Sequence, residues 1–225
     1  MELFRLRSPF RKSIFIIIHL YILMPDPFIN FNSFIKQQVE ISDAELESLN
    51  KSCDIISFPK GHILMKAGDK QQNLYFISKG IVRNFIDTDK GESKVYNFRS
   101  ENMQVTGYAL YNYADELKAL VNVQCLEECT FIKVPLEVIK YCIEHMKFGE
   151  RLGRHMAEAH VLEMVKYVID RDTLSILERY DNLERAFPNI HQRVPQHMIA
   201  SYLGVTPVYL STIKKSRKNI STQLA

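Results

Sequence analysis

The chain has 225 residues, of which 46% are hydrophobic and 24% charged. This composition is typical of a globular protein that can bury a core, in one large domain or two modest ones. The formal net charge of +3 is too small to indicate a nucleic-acid partner by itself.

The first 24 residues carry a pattern that conflicts with the rest of the chain. Four cations precede the apolar run 13–24, which is the charge and length pattern of a signal peptide. The run is too short to cross a membrane as a helix, which needs about 20 apolar residues. Pro25 and Pro27 follow it rather than a cleavage site. We interpret residues 1–24 as a doubtful leader from an upstream start codon, with Met24 as the natural start; a membrane tether is the alternative.

Residues 42–134 predict one short helix followed by strands. Ser42 can cap the helix, with Glu45 three residues on as the capping-box partner. Runs of four to eight apolar or β-branched residues then follow, broken by Gly and Asp. Short strands at this spacing predict an antiparallel sandwich or barrel. The expected strands are 55–58, 62–65, 74–77, 81–86, 94–98 and 121–134.

Four cysteines lie in this region and just beyond it, and they fit neither a CxxC pair nor a zinc-finger spacing. Free cysteine packs as a small hydrophobic residue, so we expect no metal or redox role for them. Cysteines without a disulfide or metal-binding pattern are typical of proteins in a reducing cytoplasm. They are Cys53, Cys125, Cys129 and Cys142.

After Pro135 the hydrophobic period changes from two residues to about 3.6, which predicts helices. The expected helices cover 136–144, 147 to about 170, and 173–187. The long one has an apolar surface broad enough for two contacts, one with the strand domain and one with a second copy of itself. The alternative is a helix buried within a monomer. The apolar residues are Val161, Leu162, Met164, Val165, Val168 and Ile169.

Residues 196–215 predict two helices joined by a tight turn. Pro195 suits the first turn of a helix, and Gly204 supplies the left-handed residue that ends it. Thr206 can cap the second helix, with Pro207 at its first position. These offsets are typical of a helix-turn-helix, and an ordinary helical hairpin is the alternative. The packing positions are Ile199, Ala200, Leu203, Leu210 and Ile213.

The second helix of a DNA-binding helix-turn-helix lies in the major groove, where its first residues meet base edges. Residues 191–225 contain no Asp or Glu and five cations, including Arg193 and Lys218, so this tail predicts either a phosphate-facing surface or a solvated helix end. The expected base contacts are Thr206, Val208, Tyr209, Ser211 and Thr212. The expected phosphate contacts are Gln196, His197, Ser201, Lys214, Lys215 and Arg217.

From Ile41 to Asn219 the sequence resembles the Crp/Fnr family of bacterial transcription regulators. Lys60-Gly61, Gly68-Asp69 and residues 74–83 follow the order of that family's cyclic-nucleotide-binding-type β-roll, and 193–207 is similar to Bacteroidetes-type members. The resemblance implies a cytoplasmic homodimer that binds double-stranded DNA, with no membrane contact. It also implies an α+β fold. Its parts would be an antiparallel β-roll sensor domain over 25–146, a dimerisation helix over 147–170, and a winged-helix-like helix-turn-helix domain over 171–225 whose wing is short or absent.

The sequence departs from this family where the members that bind cyclic AMP hold the phosphate. Those members place Gly-Glu and then Arg-Ser or Arg-Thr there, because a buried phosphodiester needs a bidentate Arg and backbone N–H groups. Here Gly107 is followed by Tyr108, and Ala119 and Leu120 occupy the Arg-Ser positions. We predict an effector pocket at these four residues that does not bind cyclic AMP, with an uncharged or aromatic effector or none, and no cofactor.

The second helix of the motif departs from the family as well. Pro207, Val208 and Thr212 stand where the family often reads G·C pairs through Arg and Glu, which predicts an A·T-leaning site or specificity carried mainly by phosphates. Two functions follow: a homodimeric transcription regulator, or a binding module with a degenerate DNA-reading surface that acts through protein contacts. No enzyme is expected, since no histidine stands with a Ser or Cys nucleophile or at metal-ligand spacing.

Overall fold

A computed structural model describes residues 26–106 and 118–223, with side chains through Lys215. The strands are β1 (Asp54–Phe58), β2 (Ile63–Met65), β3 (Asn73–Lys79), β4 (Val82–Asp87), β5 (Ser93–Arg99), β6 (Gln104–Val105), β7 (Asn122–Cys125) and β8 (Cys129–Pro135). The helices are α1 (Ile29–Gln38), α2 (Asp43–Lys51), α3 (Leu136–His145), α4 (Gly149–Thr173), α5 (Ile176–Ala186), α6 (Ile190–Arg193), α7 (Gln196–Leu203) and α8 (Pro207–Gln223).

The strands form two four-stranded antiparallel sheets, in the orders β1-β8-β3-β6 and β2-β7-β4-β5. Successive side chains of a strand point to opposite faces. In β3, Ile77 therefore packs inside the roll with Val82 and Phe131, whereas Phe76 faces outward to α1. The predicted α+β fold with an antiparallel β-roll and a long helix is confirmed.

The single strand expected over 121–134 was wrong, because the structure has two strands, β7 and β8, joined by a turn at 126–128. Leu126 lies in this turn but is only 5% exposed, so the hydrophobic pattern runs on through the turn and hides it. Helices α1 and α6 and the two-residue strand β6 were not predicted. In α1, tertiary packing decides the structure: Phe31 and Ile35 are buried, and the Phe31 ring lies 5.4 Å from that of Phe76.

The predicted start of α2 is confirmed, with a capping box between Ser42 and Glu45. The third predicted helix begins at Ile176 rather than 173, because Ser175 caps it and Glu178 completes a second capping box. Within residues 26–106 and 118–223, no helix combines the length and the hydrophobicity that a membrane span requires. The doubtful leader over 1–24 lies outside the described residues.

A shared core joins the roll to the C-terminal helices, across the domain boundary expected near 170–173. Helix α4 ends at Thr173, and Leu174 is extended. From the roll, Phe85, Phe98 and Leu126 pack in one buried cluster with the C-terminal residues Tyr180, Leu183, Ile190, Val194, Ile199 and Leu203. The C-terminal helices are thus held on the sheet that contains β4 and β5.

Replacing Gly80 with alanine is expected to destabilise the roll by about 3 kcal/mol. Gly80 has φ +103°, and a Cβ there would lie 2.5 Å from Cys129 Sγ and 2.8 Å from Glu128 O. Gly91→Ala is the matched control: Gly91 also has positive φ, +76°, but nothing lies within 4 Å of its added Cβ. The control is expected to lose only about 1–2 kcal/mol. Urea unfolding of the two variants measures both losses; equal losses would show that Cys129 and Glu128 offer no steric obstacle.

Candidate nucleic-acid interface

Helices α7 and α8, which we call the C-terminal helix pair, meet at a tight turn whose local geometry matches the expectation. Gly204 is left-handed, with φ 74° and ψ 29°, and the Val205 N–H donates to Ala200 O at 3.0 Å. Thr206 Oγ1 accepts from the Tyr209 N–H at 3.2 Å, and Pro207 is the first residue of α8. The predicted turn and cap are confirmed.

The packing positions of the helix pair point inward. Ile199, Ala200, Leu203 and Leu210 are at most 2% exposed, and Ile213 is half-buried. Ala200 is fully buried, in the core that the helix pair shares with the roll. Because these residues occupy the inner side, the residues between them on α8 are turned outward.

Four of the five residues expected to contact bases lie exposed at the start of α8 or just before it. Val208 is 77% exposed and Tyr209 51%, and Thr206 and Thr212 are also exposed. Ser211 is half-buried, and its Oγ donates to Pro207 O at 3.0 Å. The four exposed residues, Thr206, Val208, Tyr209 and Thr212, form the outward surface that we call the α8 face.

The expected phosphate contacts on α7 are placed less uniformly. His197 is exposed. Gln196 Nε2 donates to Ser211 Oγ at 2.6 Å and to Pro207 O at 3.2 Å, so it ties α7 to α8. Ser201 instead faces β5: its Oγ accepts from the Val95 N–H at 3.1 Å and donates to Ser93 O at 3.2 Å. In this arrangement Ser201 serves the packing of α7 on the sheet rather than a phosphate.

The basic residues divide between surface and interior. Lys215 is exposed, and half-buried Lys214 places Nζ 5.6 Å from the centroid of the Tyr180 ring. The side chain of Arg217 lies outside the described residues. Arg193 donates to Glu101 at 2.7 and 3.1 Å and to Glu127 at 2.5 and 3.2 Å. These hydrogen bonds raise the pKa of the Arg193 guanidinium, so this charge of the basic tail is used within the protein.

Of the four residues of the expected effector pocket, the structure describes Ala119 and Leu120. Ala119 is 3% exposed and packs inside the roll, whereas its neighbour Leu120 is 64% exposed. Adjacent residues of an extended chain point to opposite sides. Gly107 and Tyr108 lie outside the described residues.

A cavity of about 210 Å³ lies elsewhere, between the roll and α4. The Arg99 guanidinium at its edge makes two bonds to Glu163, at 2.6 and 2.8 Å. Asn84 is 1% exposed, and among the described residues its Oδ1 has no hydrogen-bond partner. Burial lowers the pKa of His160, and the Arg99 charge lowers it further. The polar residues lining the cavity include Asn84, Arg99, Gln104, Thr106, His155, His160 and Glu163.

Sequence analysis missed this cavity because its walls come from distant parts of the chain. Asn84 and Glu163 are far apart in sequence, and neither stands in a motif. The signal that was present is the pair of polar residues Arg83 and Asn84 inside a predicted strand, since a buried amide needs a partner.

Comparisons with known proteins agree with this architecture. Residues 55–146 match the family model of the cyclic nucleotide-binding domain, and no curated protein matches the chain. FixK2 from Bradyrhizobium japonicum is similar in structure, with 12% identity, a TM-score of 0.63, and coverage of 76% of this chain and 85% of that one. The c-di-GMP-responsive global regulator CLP from Xanthomonas campestris has 13% identity, a TM-score of 0.60, and coverage of 80% and 93%.

A third similar structure is the sensor domain of the transcriptional regulator DNR from Pseudomonas aeruginosa. It has 14% identity and a TM-score of 0.51, and the match covers 66% of this chain and 95% of that one. At such identities the likeness shows the fold. Residues 55–146 thus match the cyclic nucleotide-binding domain, and the chain shares its fold with FixK2 and CLP.

Proposed function

We propose that the chain is a homodimeric transcription regulator that binds double-stranded DNA through the C-terminal helix pair, in the cytoplasm where that DNA lies. The observation that carries the proposal is the α8 face. It is exposed at the N-terminal end of α8, and the opposite side of this helix is buried. A helix presented in this way fits the major groove, with its first residues at the base edges. CLP and DNR, which share the fold, are named as regulators.

The chemistry of the α8 face favours A·T-rich sites. Val208 and Thr212 present methyl groups, which contact the methyl group of thymine. Lys215 and the basic residues after it would contact phosphates, which position a protein without reading sequence. The α8 face would therefore discriminate weakly between sequences, and much of the affinity would come from phosphates.

Dimerisation through α4 is supported by an apolar stripe that the single chain leaves uncovered. Its six residues are 46–69% exposed, which favours contact with a second copy over the alternative of a helix buried within a monomer. A second copy of α4 would cover the stripe, as helices do in coiled coils. In such a dimer, the two C-terminal helix pairs would contact DNA at points about 34 Å apart, which is one turn of the duplex. The stripe consists of Val161, Leu162, Met164, Val165, Val168 and Ile169.

The β-roll would sense a small molecule other than cyclic AMP. The cavity between the roll and α4 has room for a small ligand, and the buried Oδ1 of Asn84 could accept a hydrogen bond from it. Arg99 is already paired with Glu163 by two hydrogen bonds, so a phosphate would have to displace that carboxylate to reach it. An effector with a hydrogen-bond donor and no phosphate fits these groups better than a cyclic nucleotide does.

The second candidate function is a binding module that acts through protein contacts. The observation in its favour is Val208, which is apolar and 77% exposed at the head of α8. A salt series of DNA binding separates the two functions, because phosphate contacts release counterions and give a steep negative slope of log K against log salt. A flat slope, or no DNA complex at all, would support the binding module.

The variant Lys215→Ala is expected to lower the steepness of this slope by about one and to weaken binding about equally on all DNA sequences. The reason is that Lys215 is exposed on α8 and would neutralise one phosphate. Lys51→Ala, on the distant helix α2, is the control and leaves the slope unchanged. Fluorescence anisotropy at several salt concentrations measures both variants, and an unchanged slope for Lys215→Ala would remove this residue from the interface.

A further inference from the structure

Strand β5 and the turn after it contact both the long helix and the C-terminal helix pair. At the start of β5, the backbone of Ser93 and Val95 makes two hydrogen bonds with Ser201 on α7. At its end, Arg99 pairs with Glu163 on α4, with an Arg99 side chain only 11% exposed. Strand β5 thus connects α4, which would hold a dimer together, with the C-terminal helix pair, which would bind DNA.

An arginine on the C-terminal side completes this connection. Arg193 is the last residue of α6, and its guanidinium bonds to both Glu101, two residues after β5, and Glu127, in the turn between β7 and β8. Glu101 also accepts the Gly80 N–H at 2.8 Å. Burial by itself would raise the pKa of Glu101, but hydrogen bonds from Arg193 and backbone N–H groups outweigh it and lower this pKa. We call this arrangement of three side chains the Arg193 clamp.

Aromatic contacts also join β5 to the C-terminal helices. The Phe98 ring lies 5.6 Å from the Tyr202 ring and 6.4 Å from the Phe187 ring, measured between centroids. Phe98 is next to Arg99, which lines the cavity on the α4 side. Adjacent residues of β5 therefore face the cavity and the C-terminal helices, and a shift of the strand at the cavity would move both faces together.

We propose that β5 and the Arg193 clamp lock the C-terminal helix pair onto the β-roll, and that β5 is the element through which a change at the cavity reaches the helix pair. The lock leaves the α8 face outward, so it sets the orientation of that face rather than covering it. The lock itself depends only on the contacts between the roll and the helix pair; its consequence for DNA rests on the proposed function. The chain would then bend at the domain boundary expected near 170–173 only after these contacts open.

The amide of Val95 reports the lock directly, because its N–H donates to Ser201 across the contact. In the full-length protein, Arg193→Ala is expected to speed hydrogen exchange at Val95 about tenfold or more, since charge-assisted hydrogen bonds are lost. Glu127→Gln keeps the side-chain volume and is expected to speed hydrogen exchange at Val95 as well, but by a smaller factor. Arg185→Ala is the matched control, because within the described part of the chain Arg185 donates hydrogen bonds only to Asn182 and Asp181 of its own helix.

Unchanged exchange at Val95 in both Arg193→Ala and Glu127→Gln, with helix α7 still protected, would overturn the lock. DNA binding is measured in a separate experiment. Arg193→Ala is expected to weaken DNA binding about tenfold without changing the slope of log K against log salt, because Arg193 does not contact phosphate. Faster exchange with no DNA binding by any variant would contradict the proposed function while leaving the lock in place. Faster exchange with unchanged DNA affinity would show that the lock does not set the orientation of the α8 face, which overturns that part of the proposal.

Discussion

Replacing Leu162 and Val165 with glutamate is expected to convert the protein from a dimer to a monomer. These side chains are 69% and 50% exposed in the single chain, so charges there cost the folded monomer little. In a dimer they would be buried against the partner helix without a counter-charge, at about 3 kcal/mol or more for each charge. The dissociation constant of the dimer is therefore expected to rise at least about a hundredfold for each substitution.

Analytical ultracentrifugation of the variant and the wild type measures this change. Tyr141→Glu is the matched control, because Tyr141 is another exposed apolar residue, 60% exposed, on helix α3 and away from the stripe. DNA affinity is expected to fall together with dimerisation, since each monomer would retain only one helix pair. A wild type that is monomeric at micromolar concentration, or a variant that remains dimeric, would contradict dimerisation through α4.

Replacing Phe98 with alanine is expected to reduce the free energy of unfolding by about 4 kcal/mol. Phe98 is 1% exposed and packs on rings from the C-terminal helices, so the change leaves a cavity where the roll and these helices share a core. Tyr96→Ala is the control on the same strand, because the Tyr96 side chain is 45% exposed and little burial is lost. The control is expected to change stability by less than about 1 kcal/mol.

Urea unfolding followed by circular dichroism measures both variants, at one protein concentration so that a dimer equilibrium affects them equally. Loss of the shared core is also expected to separate unfolding into two transitions, with the C-terminal helices opening first. Similar losses for Phe98→Ala and Tyr96→Ala would mean that the junction between roll and helices contributes little, and would weaken the basis of the lock at β5.

The structure changes how the basic tail is understood. Of its residues, Arg193 is held by two carboxylates, Lys214 lies near the Tyr180 ring, and Lys215 is exposed. A count of positive charges in the sequence treats these three as equivalent. Their surroundings give them different roles, because a charge paired inside the protein cannot release counterions from DNA.

The sequence by itself determined the features that depend on neighbouring residues. The capping box at Ser42, the left-handed Gly204 and the cap at Thr206 were all predictable, because each is satisfied by groups within a few residues. Strands β1 to β5 and the long helix were predictable to within a few residues, since burial of one face leaves a periodic pattern. The apolar stripe on α4 was visible in the same way.

Only the tertiary structure decided which distant groups meet. The pairing of Arg193 with Glu101 and Glu127, the docking of Ser201 on β5, and the cavity at Asn84 bring together residues from separate elements. Local pattern carries no information on such contacts, because a side chain's partner depends on how the elements pack and not on its spacing along the chain. For the same reason, Ser201 was expected at phosphate but lies against a strand.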